Sequence, residues 1–273
     1  MTIEASTRYV DLLMGCLTRE LFLDEEVHDV DLATWPGPGH PDEIRSTLRS
    51  AGWRLTHRGG AAGRRDDGND WPPTAETMVG RRRLSNVRWA VETVLGDGVP
   101  GDLIETGVWR GGVTILMRGI LAAHQDPSRR VWVADSFQGL PAPDAETYPA
   151  DAGHDLSGIP TLMVDADRVR ANFDRYGLLD DRVHFLEGWF ADTLPSAPIE
   201  QLAVLRLDGD LYESTMDALV PLYDKVAPGG FVIVDDYGAW EPCRRAIDDF
   251  RRDRGITAPI VEVDWTGVYW RKP

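Results

Sequence analysis

Apolar positions recur with two periods along this chain, and the change of period organises it. Over residues 8–23 (RYVDLLMGCLTRELFL), Leu12, Leu13, Cys16, Leu17 and Leu21 fall at helical spacing and predict one amphipathic helix. Residues 30–43 (VDLATWPGPGHPDE), punctuated by proline, read as an irregular connection, and 58–70 (RGGAAGRRDDGND) as a mobile loop rich in glycine and charge. From about residue 84 the pattern becomes regular. It predicts helix 84–95, strand 102–106 (DLIET), helix 112–124, strand 130–135 (RVWVAD), a long loop over 136–163 and helix 165–176. Strands 182–187 (RVHFLE) and 202–208 (LAVLRLD), helix 212–226, strand 231–235 (FVIVD), helix 241–254, and strands 259–264 and 267–271 complete the chain.

Strands alternating with helices imply an α/β fold with a doubly wound, mostly parallel sheet. Only Trp265 and Thr266 join the last two strands. So short a link permits only a hairpin, so the final strand must run antiparallel to its neighbour. A parallel sheet finished by one reversed strand resembles the Rossmann-like class I methyltransferase fold.

Composition narrows the function. The 273 residues are 42% hydrophobic, enough to bury a real core, and are read as one large domain with an accessory segment. Lys and Arg number 29 against 45 Asp and Glu, a formal net charge of −16 that argues against a nucleic acid or an anionic membrane surface as partner. Residues 1–8 are polar and no apolar run approaches the roughly 20 residues of a membrane span, so the cytoplasm is the expected compartment. Cys16 and Cys243 lack zinc-site spacing and read as buried spacers.

Candidate chemistry gathers at strand ends, where ligands of open α/β sheets bind. The turn Glu105-Thr106-Gly107-Val108-Trp109-Arg110-Gly111-Gly112 follows the first strand of the regular region. Its glycines admit close approach of a ligand, although a tight turn without one has the same sequence. The spacing is not GxGxxG and fits a pyrophosphate poorly; methyltransferases use a related E/D-x-G-x-x-x-G turn facing the methionine part of their donor. Asp135 at the next strand end is either an acceptor of two ribose hydroxyls or a turn-capping residue. Gly188 and Trp189 follow the strand ending at Glu187, where an adenine ring would lie; Trp189 is aromatic contact or plain core.

The acids Asp208 and Asp210 (LRLDGDLYEST) and Asp235 and Asp236 (VIVDDYGAW) end two apolar strands expected to be neighbours. Four carboxylates sharing a small volume repel unless a cation neutralises them or their pKa values rise. Oxygen donors without Cys or His favour a hard ion: Mg²⁺ first, with Mn²⁺ or Ca²⁺ as alternatives. Singly, Asp208 could cap a helix and Asp236 could be a solvated turn residue. A cation would stabilise a developing alkoxide while a nearby carboxylate removes the proton.

Ordered stretches along nearly the whole chain, among them RYVDLLMGCLTRELF (8–22), DWP (70–72), TMVGRRRLSNV (77–87), ETGVWRGG (105–112), ADSFQGLP (134–141), EGWFADTLP (187–195), LRLDGDLYEST (205–215), PGGFVIVDDY (228–237) and GVYWRK (267–272), resemble the macrocin O-methyltransferase (TylF-type) family. The resemblance implies methyl transfer from S-adenosylmethionine to a hydroxyl of a deoxysugar on a glycosylated antibiotic. It implies Mg²⁺ held by Asp208, Asp235 and Asp236, with Asp210 as general base. It implies a donor site lined by Met78, Glu105, Thr106, Gly107, Asp135, Ser136, Gly188, Trp189 and Asp208. Residues 1–80 would form an N-terminal helical and loop segment serving as lid and oligomer contact, 81–273 the methyltransferase domain, and the protein a homodimer or higher assembly. Trp240 and His154 are candidates for acceptor contact or for packing.

The alternative is a catechol-type O-methyltransferase, whose base is a lysine three residues after the first metal ligand; that position here is Leu211. A non-catalytic binding protein would not need both metal ligands and a base. An NAD-dependent oxidoreductase would need a GxGxxG turn and a Tyr-x-x-x-Lys pair, and neither Tyr212 nor Tyr237 has Lys at that spacing.

Overall fold

The computed structural model describes residues 2–23, 25, 27–30, 39–58, 62–70 and 72–273. Helix α1 (Ile3–Leu17) starts at Thr2, whose side chain accepts the Ala5 N–H. It stops four residues before Leu21 because Arg19 takes a left-handed conformation (φ 58°) and a 3₁₀ turn, Glu20–Phe22, follows. The helix expected over 8–23 is therefore two pieces.

Strands β1 (Val27–Asp29) and β2 (Thr56–Arg58) pair antiparallel, with helix α2 (Pro41–Ala51) between them in sequence. The irregular connection expected over 30–43 thus ends at Pro41, which takes the first helical position behind the His40 cap; residues 31–38 lie outside the described residues.

Helix α3 (Ala62–Asp67) corrects the loop expected over 58–70, of which 59–61 lie outside the described residues. Tertiary contact overrides glycine's poor helix propensity here. Buried Arg65 pairs with Asp70 at 2.8 Å and donates to the Thr18 carbonyl, tying the segment to the end of α1.

The regular region follows its sequence pattern closely: α4 (Arg81–Gly96), β3 (Asp102–Thr106), α5 (Gly112–Ala123), β4 (Val131–Asp135), α6 (Ala166–Arg175), β5 (Val183–Glu187), α7 (Phe190–Thr193), β6 (Leu202–Leu207), α8 (Tyr212–Leu222), β7 (Val226–Val234), α9 (Glu241–Asp253), β8 (Val261–Glu262) and β9 (Val268–Arg271). The sheet order is β5-β4-β3-β6-β7-β9-β8. Strands β3 to β7 are parallel, and β9 runs antiparallel between β7 and β8, so the reversed strand expected from the short C-terminal link is present. This α/β sheet with its reversed terminal strand is the class I methyltransferase arrangement. The strand expected over 259–264 shrinks to two residues at the sheet edge.

Both faces of β3, β4, β6 and β7 are covered, so they read as apolar runs, whereas the edge strand β5 is only half-buried. Leu103, Val131, Val133 and Phe231 face the layer of α1, α4 and α5; Ile104, Trp132, Leu205 and Val232 face α8 and α9. Helix α5 is apolar almost all round and nearly wholly buried, which requires a second cover beyond the sheet. Helix α1 supplies it: Val10, Leu13, Met14 and Leu17 are in the same core, and a Cβ at Gly119 would come within 2.3 Å of Leu13. Cys243 is buried and Cys16 half-buried, and both are free. Among the described residues no helix is long and apolar enough to cross a membrane.

Candidate active site

The order of the strands reverses between β3 and β6: β3, β4 and β5 are laid outward to one side, β6 and β7 to the other. Such a switch point opens a crevice at the carboxyl ends of the strands. A cavity of about 720 Å³ lies there, and the ends of β3, β4, β6 and β7 contribute to its wall.

Its tightest point is the turn after β3. Gly107 has φ +89°, and a Cβ there would sit 1.8 Å from the Asp208 carbonyl oxygen. Only glycine allows the β3 and β6 turns to approach so closely. Trp109, Phe137 and Asp210 also take positive φ (49°, 57° and 59°) directly after β3, β4 and β6. Strained non-glycine residues collect where the surrounding structure holds them for a purpose, and here they crowd one rim.

Asp135 organises that rim. One carboxylate oxygen accepts the Val108 N–H and the other the Phe137 N–H, both at 2.8 Å, so the turn-capping role is realised while the residue still lines the cavity. The long loop over 136–163 carries two 3₁₀ turns, Pro149–Asp151 and Pro160–Leu162. Fully buried Asp151 accepts the Tyr212 and Glu213 N–H groups, so the loop caps α8 and brings Leu156, Ile159 and Leu162 to the cavity.

The acids converge as their strands are adjacent. One carboxylate oxygen from each of Asp208, Asp235 and Asp236 lies within 4.8 Å of the other two, a donor set that could hold a metal ion. Two arginines that the sequence pattern did not single out enter this cluster. Arg206, the penultimate residue of β6 and fully buried, donates from one nitrogen to Glu105 and to Asp208 (2.7 Å), and from another to Asp235. Arg83 of α4 pairs with the other Asp235 oxygen and with Asp264 at 3.0 Å. Of the five acids of the cluster, counting Glu105, three thus share two guanidinium groups, one of which also serves Asp264, while Asp210 and Asp236 pair with neither among the described residues.

The carboxyl groups respond to this imbalance. Burial raises Glu105 to about 8, with Asp208 and Asp235 adding to the push and Arg206 opposing it. Burial, then the Asp208 and Asp235 charges, raise Asp210 to about 8. Burial and the neighbouring acids lift Asp236 well above the usual carboxylate range, and Asp208 moves up for the same reasons against the pull of Arg206.

Of the residues expected from sequence, Met78, Glu105, Gly107, Asp135, Ser136, Trp189, Asp208, Asp210, Asp235 and Asp236 line this one cavity. Thr106 does not: it is buried and its hydroxyl donates to the Arg206 carbonyl at 3.3 Å. Gly188 also stays out of the wall, its N–H donating to the Asp135 carbonyl. Trp240 lines the cavity, and His154 stands behind it with ring centroids 5.9 Å apart. The Glu105 Oε2 atom is buried without a hydrogen-bond partner among the described residues. The Asp210 carboxylate makes no hydrogen bond or ion pair among them either, although its backbone N–H donates to Asp236 at 3.3 Å. A signal for Arg206 existed: a lone arginine inside a strand buried on both faces must find acids nearby. Arg83 had none, because it is one of three consecutive arginines.

The family profile of the macrocin-O-methyltransferases (TylF) matches residues 6–272. An 8-demethyl-8-(2,3-dimethoxy-alpha-L-rhamnosyl)-tetracenomycin-C 4'-O-methyltransferase of Streptomyces olivaceus is 50% identical over 274 residues, covering 99% of this chain and 95% of that protein. A demethyldecarbamoylnovobiocin O-methyltransferase of Streptomyces niveus is 54% identical over 211 residues, 76% of this chain and 80% of that one. The solved structure of the O-methyltransferase NovP superposes with a TM-score of 0.84 at 45% identity, covering 98% of this chain and 99% of the other. With the profile spanning nearly every residue and the fold and cavity in agreement, the chain belongs to the macrocin-O-methyltransferase family and is an O-methyltransferase.

Proposed function

We propose that the chain transfers the methyl group of S-adenosylmethionine to a hydroxyl of a deoxysugar on a glycosylated natural product, with a divalent cation, Mg²⁺ first, at Asp208, Asp235 and Asp236. The observation that carries the reading is the meeting in one cavity of a glycine turn bearing an unpartnered buried carboxylate oxygen and an all-oxygen acid cluster. Glu105 Oε2 suits the donor's ammonium group, and the excess of acids over guanidinium groups suits a hard cation. The sugar acceptor is supported by the rhamnosyl-directed relative from Streptomyces olivaceus.

A bound divalent ion supplies charge neutralisation and lowers the pKa of a hydroxyl presented to it. The chain's own residues do the rest. Asp210 faces the cavity with a free carboxylate and takes the hydroxyl proton as the oxygen bonds to the methyl carbon. The methyl–sulfur bond breaks, its electron pair stays on sulfur, and S-adenosylhomocysteine leaves. Leu156, Ile159 and Leu162 exclude water from the reacting atoms. Leu211, where a catechol-type enzyme would carry a lysine, is fully buried and offers no base.

The test incubates the protein with S-adenosylmethionine, Mg²⁺ and a panel of glycosylated polyketides and aminocoumarins, followed by mass spectrometry and NMR location of the new methyl group. The expected outcome is a sugar O-methyl product, abolished by EDTA and restored by Mg²⁺. Full activity in EDTA would remove the metal from the reading, and methylation confined to catechols would replace the acceptor. Thermal stabilisation by NAD and not by S-adenosylhomocysteine would overturn the donor.

A further inference from the structure

Arg206 stands at an unusual junction. Its side chain is wholly buried, it lies between two neighbouring strands, and its guanidinium touches acids belonging to two different parts of the cavity. Glu105 is on the donor turn of β3, whereas Asp208 and Asp235 are two of the three acids clustered after β6 and β7. One terminal nitrogen is shared between Glu105 and Asp208, so the two carboxylates compete for the same donor. The Nε of Arg206 and Oε2 of Glu105 lack hydrogen-bond partners among the described residues, so the contact between them is incomplete on both sides.

We propose that Arg206 is a positioning residue that couples the donor pocket to the acid cluster, so that filling one tightens the other. This rests on the reading that S-adenosylmethionine meets Glu105 and a divalent ion meets Asp208 and Asp235. A cation at the cluster takes up carboxylate charge that Arg206 otherwise compensates. The shared guanidinium is then released toward Glu105, which fixes the donor turn in its binding geometry. Donor binding that fixes Glu105 favours the cation by the same factor, because linkage between two equilibria is reciprocal. The main-chain bond from Asp208 N–H to the Thr106 carbonyl (2.9 Å) also joins the two turns, but it is a rung of the sheet ladder with one arrangement. The guanidinium shared among three acids can trade one partner for another without breaking the sheet ladder.

Isothermal titration of the whole protein with S-adenosylhomocysteine, in Mg²⁺ or in EDTA, and with Mn²⁺, with or without S-adenosylhomocysteine, tests this. S-adenosylhomocysteine carries no net charge, so direct repulsion by the cation does not mask the coupling. The wild-type protein is expected to bind it at least about fivefold tighter in Mg²⁺, with the same factor for Mn²⁺ in the reverse order. In Arg206→Lys and Arg206→Met the factor should fall below about twofold while each ligand still binds. Glu105→Gln, which keeps the Arg206 pairs to both aspartates, should bring the factor below about twofold in both titrations while Mn²⁺ still binds. If circular dichroism shows the Arg206 variants unfolded, Glu105→Gln decides. Wild-type coupling that persists in the folded variants, or its absence in a wild-type protein that binds both ligands, overturns the proposal. A wild-type protein that binds neither ligand overturns the reading beneath it as well.

Discussion

At the amino ends of β3 and β4, Asp102 accepts the Arg130 N–H and the Trp132 indole N–H, both at 2.9 Å. Just before β4, Asp126 accepts the Ser128 and Arg129 N–H groups and pairs with the Arg129 side chain, which itself donates to the Gly101 and Val99 carbonyls. The charges of Asp102, Asp126 and Arg129 are met by neighbours a few residues or one strand away. At the carboxyl ends of the same sheet, Glu105, Asp208 and Asp235 share two guanidinium groups, Asp210 and Asp236 pair with neither among the described residues, and Asp210 holds a left-handed backbone besides. The first end is arranged for stability. The second keeps acids unsatisfied in a cavity, which costs stability and leaves room for a ligand to complete it.

The largest effect expected from disturbing the second end is Asp210→Asn. It should lower turnover by about 10²- to 10⁴-fold, the range for loss of a general base, while S-adenosylhomocysteine affinity stays within about twofold. In EDTA at neutral pH the same variant should melt higher than the wild type, because folding no longer has to hold protonated a buried carboxyl that ionises in the unfolded chain. Wild-type turnover in this variant would mean that another group takes the proton.

Gly107→Ala comes next. A Cβ 1.8 Å from the Asp208 carbonyl oxygen, at φ +89°, forces the β3 and β6 turns apart. We expect a loss of about 3 kcal/mol in urea unfolding together with loss of S-adenosylhomocysteine binding. A stable variant that still binds would show that the two turns separate freely.

The pH response should differ in sign between the two ends. Glu105 and Asp210 are raised to about 8, so the stability linked to their neutral forms is complete below the ordinary carboxylate range and is lost as pH rises toward 8. Burial pushes Asp126 up, but the Arg129 and Ser128 N–H groups and the Arg129 side chain outweigh it and hold the pKa below its ordinary value. Its contribution is therefore present at neutral pH and lost as pH falls through that lowered pKa. Melting temperature in EDTA should decline from about pH 5 to pH 8, and Mg²⁺ should flatten the decline. Parallel curves with and without Mg²⁺ would remove the cation from the cluster.

The smallest effect belongs to the first end. Asp126→Ala should cost about 1 kcal/mol of stability, the net worth of the turn hydrogen bonds it makes, and leave turnover within about twofold. A large loss of turnover there would mean that the two ends are not independent.

Much of this contrast was legible beforehand. Parallel strands buried on both faces must be short apolar runs, and helices between them must show an apolar stripe, so β3 to β7 and the order of elements follow from periodicity. Acids at the ends of such runs must gather once β6 and β7 are neighbours, which brings Asp208, Asp210, Asp235 and Asp236 to one cavity. Helix α3 was illegible because its glycine-rich sequence favours a loop; Arg65, wedged between Asp70 and the Thr18 carbonyl, holds it. The resemblance implies Thr106 in the donor site along with its neighbours Glu105 and Gly107, but side chains alternate across a strand and this one turns into the core.

Local pattern by itself determined which segments become strands and helices, where the reversed strand comes, and which acids would meet, because these depend on period and order along the chain. Tertiary structure alone decided how the acids are compensated. Of the consecutive Arg81, Arg82 and Arg83, the rotation of α4 against the sheet turns Arg83 inward to Asp235 and leaves Arg82 exposed, paired with Asp67. Arg206 reaches Glu105 across the strand pair, 101 positions away in sequence. Charge compensation in a buried site depends on distances of a few ångströms between distant parts of the chain, and those distances exist only once the sheet has formed.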